Sequence, residues 1–233
     1  EGLASGKEGF TIIGNDGGLL DKPVHVTSAM LSEGERLDII VDLSGNSSGS
    51  TITLKSLPFT PSGDPGSGTL AQGAAIDLLQ FQVSKTGSSN FAGLPAVLST
   101  ITKYNVANIK NTRVFSFAGS EYVNFKHFKI DRIDEHVPLG DLEQWTFQNQ
   151  SQIVHPIHVH GLQFQVLDRG AGIDPEPAEA GWKDVIRIEP FLSANVLLRF
   201  NNPGLFLLHC PNLEPEDMVM MTNISFAQHG AVC

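Results

Sequence analysis

Short runs in which apolar and polar residues alternate, each closed off by Gly, Asn, Asp or Pro, recur along these 233 residues. A period of two sends successive side chains to opposite faces of an extended strand, whereas a helix needs apolar positions three and four apart. Runs at 10–13, 37–43, 50–54 and 76–83 form a first group, and runs at 113–117, 143–147, 162–167, 184–188 and 195–200 a second. With 23 Gly and 13 Pro scattered without a repeat, tight turns rather than long helices should join them. Strands spaced this way predict an all-β chain of Greek-key sandwiches or barrels. The Pro-, Gly- and Ser-rich stretch 58–73 and the segment 171–180 read as loops. Residues 84–110 hold few alternating runs and read as a connection between two domains, 1–95 and 96–233. A short helix is expected only at 213–221, with Pro215 tolerated in its first turn.

Charge and cysteine content exclude several classes. Fifteen basic against 25 acidic residues give a net charge of −10, with no basic run to hold phosphates, so a nucleic-acid partner is not expected. No apolar stretch approaches the ~20 residues of a membrane-spanning helix. The two cysteines, Cys210 and Cys233, exclude a disulfide-rich scaffold. The start, Glu1-Gly2-Leu3-Ala4, has neither the basic opening nor the apolar core of a signal peptide, and it lacks an initiating Met.

The chemistry concentrates in histidines. His25, His127, His136 and His229 stand alone and read as ordinary surface or satisfied residues. By contrast, His155-Pro156-Ile157-His158-Val159-His160 packs three imidazoles into six residues, and His209-Cys210 sets a fourth beside a thiol. Imidazole is the commonest protein metal ligand, and thiolate beside imidazole favours copper or zinc. Strand parity divides the set: His158 and His160 share one face and His155 takes the other, while His209 and Cys210 must also point apart if extended. Two strands side by side would then make two centres back to back. One would hold His155 and Cys210, the other His158, His160 and His209.

The stretch HPIHVHG at 155–161, GWKD at 181–184, His209-Cys210, and Glu214, Glu216, Asp217, Met220 and Met221 together resemble the C-terminal cupredoxin domain of multicopper oxidases, the family of laccases, bilirubin oxidases and copper-efflux oxidases. Residues 10–18 and 34–42 resemble the end of that family's middle domain, so the resemblance covers nearly the whole chain. It implies copper as cofactor: a blue type 1 ion, and a type 2 ion plus a type 3 pair that reduce dioxygen to water. Carried over by position, His155, Cys210 and Met220 would be type 1 ligands, His158 a type 2 ligand, and His160 and His209 type 3 ligands. Glu216 matches an acid that assists protonation at the dioxygen site, and is the catalytic candidate.

Two positions depart from the family pattern. Pro211 stands where a type 3 histidine is expected and Pro215 where a type 1 histidine is expected. Proline offers no side-chain lone pair, so neither can bind a metal. No further His-x-His pair occurs in the sequence, whereas the family draws four more ligands from two such pairs in its N-terminal domain. The expected partners are therefore dioxygen, a phenolic or similar small organic donor, and an N-terminal half; with four methionines the chain does not suit cuprous ion as donor. The resemblance implies a periplasmic or extracellular setting. The chain alone is expected to be inactive, and the alternative reading is a cupredoxin-fold scaffold that has lost copper.

Overall fold

The computed structural model describes residues 9–59, 73–84, 92–212 and 219–227. The first group of runs forms β1 (Phe10–Asn15), β2 (Gly18–Val26), β3 (Leu37–Ile40), β4 (Thr51–Ser56) and β5 (Ile76–Gln82). These make a three-stranded sheet ordered β2-β1-β3 and a separate ribbon of β4 with β5. β2 was not legible as a strand, because Asp21, Lys22 and Pro23 break its alternation; an edge position tolerates the proline, which needs no ladder partner there.

Ten further strands follow: β6 (Ile109–Ala118), β7 (Tyr122–Val123), β8 (Glu135–Pro138), β9 (Leu142–Asn149), β10 (His155–Val159), β11 (Gln165–Asp168), β12 (Val185–Ile188), β13 (Ser193–Arg199), β14 (Gly204–His209) and β15 (Met221–Ala227). They form two five-stranded sheets, β12-β10-β14-β15-β8 and β11-β13-β9-β6-β7. The pairs β6/β9 and β8/β15 are parallel, so the chain crosses between sheets as a Greek-key sandwich does. Alternation drives the packing. On β9, Trp145 and Phe147 are fully buried while Gln144, Thr146 and Gln148 are partly exposed. They meet Ile157, Ile186, Leu208, Ile224 and Phe226 from the facing sheet in one apolar core. Each such side chain contributes roughly 1.5–3 kcal/mol through burial.

The expected helix at 213–221 lies mostly outside the described residues. Of its described end, Val219 is a turn residue and Met221 opens β15, opposite His209 on β14. At this described end the Met220 carbonyl accepts the Cys210 N–H and the Met221 N–H closes a tight turn onto the Val219 carbonyl, so no helical turn stands at 219–221. Most of the expected loop at 58–73 also lies outside the described residues. The segment 171–180 is a loop with one 3₁₀ turn, Pro177–Glu179.

Candidate metal centre

β10 lies between β12 and β14, so both of its edges are paired and its side chains are held in register. His155 faces Ile188, His158 faces Val185 on one side and His209 on the other, and Val159 faces Leu208. After the strand ends, the His160 N–H still donates to the Leu207 carbonyl at 3.0 Å. Gly161 then turns with φ +84°, and a Cβ there would stand 2.4 Å from the Phe206 ring. Only glycine lets the chain leave the strand at this point with Phe206 in place.

On the inner face, His155 and Cys210 are fully buried. The His155 Nε2–H donates to the Gly119 carbonyl at 3.0 Å and also faces the Ser151 hydroxyl at 2.9 Å. A carbonyl can only accept, so the proton is on Nε2 and the Nδ1 lone pair looks at Cys210 Sγ, 3.5 Å away. Burial pushes the His155 pKa down to about 4, against the upward pull of the Gly119 hydrogen bond. The ring is therefore neutral at pH 7 and available as a ligand. Met220 is also fully buried, and its carbonyl accepts the Cys210 N–H at 3.2 Å.

On the outer face, one ligand atom from each of His158, His160 and His209 lies within 4.8 Å of the others. The Nε2 atoms of His160 and His209 are 2.9 Å apart, so one ring must donate a proton to the other. His158 Nδ1 donates to the Asp184 carbonyl at 2.8 Å, as metal-bound imidazoles usually do through their second nitrogen.

The donor sets fit copper in part. An imidazole nitrogen and a sulfur held at ~2.0–2.1 and ~2.3 Å by one tetrahedral ion stand roughly 3.5 Å apart, and His155 and Cys210 match that separation. The three outer imidazoles also converge closely enough to share bound metal. Pro211 is half-buried against Gly34 and offers no lone pair. Pro215 and the catalytic candidate Glu216 lie outside the described residues. The structure thus brings together His155 with Cys210, and His158 with His160 and His209.

Sequence reasoning missed Asp16, Arg36 and Asp184. Asp16 Oδ2 accepts from Lys183 Nζ at 2.9 Å, and Arg36 reaches both oxygens of Asp184. Asp16 and Arg36 enter the sequence reading only within the stretches 10–18 and 34–42; the one available signal was Asp184, inside the GWKD motif.

A family model described as "Multicopper oxidase" matches residues 93–228. The laccase of Bacillus subtilis (strain 168) is 31% identical over 239 aligned residues, covering 91% of this chain and 45% of that protein. A laccase of Haloferax volcanii is 33% identical, covering 83% of this chain and 34% of its own length. A crystal structure of a multicopper oxidase from Pediococcus acidilactici superposes with a TM-score of 0.80 at 31% identity, over 95% of this chain and 44% of that one. The chain therefore spans less than half the length of these relatives, and matches a C-terminal portion of them. With the family model covering well over half of its residues, this chain belongs to the multicopper oxidases, a family whose cofactor is copper.

Proposed function

We propose that the chain is the catalytic C-terminal portion of a laccase-like oxidase, which takes electrons from a phenolic or similar organic donor and delivers them to dioxygen. The supporting observation is the two-faced strand β10, with His155 beside Cys210 on one face and His158 beside His160 and His209 on the other. Copper bound there supplies one-electron oxidation at the inner centre and dioxygen reduction at the outer one. The protein's part is to hold two ligand groups back to back. His209 and Cys210 share a peptide bond yet point to opposite faces, so the backbone itself joins the centres. Cys210 and Met220 would hold type 1 copper with His155; His158, His160 and His209 would contribute to the type 2 and type 3 ions; Glu216 would handle protons.

On this reading residues 1–95 are a portion of a middle domain and 96–233 the C-terminal cupredoxin domain. An N-terminal portion supplies the remaining histidines, and the protein works in the periplasm or outside the cell. The prolines at 211 and 215 favour a second reading, a scaffold that has lost copper and serves interaction. An oxygen electrode separates the cases. With added Cu(II) and a methoxyphenol, the chain alone should consume no oxygen, and the Pro211→His, Pro215→His double variant co-expressed with an N-terminal portion of a laccase relative should show uptake that His158→Ala abolishes. Uptake by the chain alone that tracks added copper would sink the shared-centre reading. No uptake and no retained copper in the co-expressed material would favour the scaffold.

A further inference from the structure

Besides its backbone bonds to Phe164 and Val159, the segment 183–185 is gripped by Asp16, Glu35 and Arg36 from the turns that flank the first sheet's strands. Asp16, in the turn between β1 and β2, has a fully buried side chain. Its Oδ2 accepts from Lys183 Nζ at 2.9 Å, the Asp184 N–H at 3.3 Å and the Val185 N–H at 3.2 Å. Its Oδ1 accepts the Arg36 N–H at 2.8 Å. Arg36 then forks onto Asp184, with Nη1 to Oδ1 at 2.5 Å and Nη2 to Oδ2 at 2.8 Å, and Nη2 also reaches the Asp16 carbonyl at 2.8 Å. Lys183 is paired a second time, with Glu35 Oε1 at 3.2 Å. Buried charges placed this closely are costly unless each is answered, and here each has an opposite partner.

What this lattice fixes is a carbonyl. The Asp184 C=O accepts both the Val159 N–H at 3.1 Å and His158 Nδ1–H at 2.8 Å. Since a carbonyl only accepts, the proton of neutral His158 belongs on Nδ1 and the lone pair on Nε2. Asp184 Oδ1, 3.7 Å from the same Nδ1, adds negative charge beside that N–H. In the other tautomer two lone pairs would face each other across 2.8 Å.

We propose that Arg36 and Asp16 are positioning residues. By clamping Asp184 they hold His158 as the Nδ1–H tautomer, with Nε2 presented for metal. The inference rests on reading His158, His160 and His209 as a metal centre. Second-sphere partners of this kind commonly change metal affinity ~10–100-fold when removed. Arg36 is the cleaner probe, because half of its side chain is exposed.

The test uses the full chain, metal-free and labelled with ¹⁵N-histidine. Long-range ¹H–¹⁵N spectra assign the His158 tautomer, and competition with a chromophoric chelator gives the affinity for Zn(II), a diamagnetic probe. The parent should show Nδ1–H at His158. Arg36→Met should give a mixture of tautomers and weaken zinc about 10–100-fold, with Arg36→Lys restoring part of both. Asp16→Asn is the second variant, with amide dispersion reporting whether each protein is folded. An Nε2–H tautomer in the parent, or a folded Arg36→Met with the parent's tautomer and affinity, would overturn the proposal. If the parent binds no zinc but its tautomer responds as described, the metal reading fails and the positioning relation stands.

Discussion

His155 Nδ1 lies 3.5 Å from Cys210 Sγ, and both side chains are sealed in the core of the sandwich. These are two of the three strong ligands that a trigonal blue-copper centre requires, and the third position of the family pattern is Pro215. Cu(II) added to the parent chain should therefore give no intense blue thiolate band, because two strong ligands leave the ion open to water or let it oxidise the thiolate. Pro215→His should produce the band and Pro211→His should not, as position 211 matches a ligand of the other centre. Absorption and EPR titration of all three proteins decides it. A blue parent would show that another ligand completes the site.

A buried ion pair makes the second prediction. Arg113 Nε donates to Glu143 Oε2 at 2.7 Å, and Trp145 Nε1 donates to the same oxygen at 2.7 Å, with Glu143 fully buried. Removing the cation strands a carboxylate in the core, so Arg113→Met should cost about 3–5 kcal/mol of unfolding free energy. Urea unfolding measures it, and adding Glu143→Leu should recover part of the loss. A loss below ~1 kcal/mol, the value of an exposed pair, would contradict this account.

Gly161 supplies the third. A methyl group there meets the Phe206 ring at 2.4 Å on a backbone with φ +84°. Gly161→Ala should destabilise the chain by about 1–3 kcal/mol through strain and overpacking. Because His160 is the adjacent residue, its ring resonances should shift as well. A thermal melt and a histidine NMR spectrum unchanged from the parent would refute both parts.

Acid stability provides the fourth. Burial by itself would raise the Asp134 pKa, but hydrogen bonds from Arg132, Lys126 and Thr222, with the charge of Arg132, outweigh it and hold the carboxyl below its ordinary value. A carboxyl lowered in the folded state adds stability above its unfolded pKa of ~3.9, and that stability disappears as pH falls through the folded value. Unfolding free energy should drop on acidification below about pH 4, and Asp134→Asn should flatten that part of the curve. Identical acid slopes for parent and variant would remove Asp134 from the account.

The sequence by itself determined the strand class and the two-faced logic of the histidines. Period-two alternation fixes which residues of β9 and β13 enter the core, and parity alone separates His155 from His158 and His160. It did not reveal β14 or β15. Leu205 to Leu208 form an unbroken apolar run, and in β15 only Ile224-Ser225-Phe226 alternates, after the polar pair Thr222-Asn223, which is too short a pattern to read. Only the tertiary structure decided that β14 lies beside β10, which brings His209 to His158 and Cys210 to His155. It alone also joined Asp16 and Arg36 to Asp184, across 168 and 148 residues of chain. Pairings between strands and between buried charges depend on which segments meet in space, and no local pattern of residues encodes that meeting.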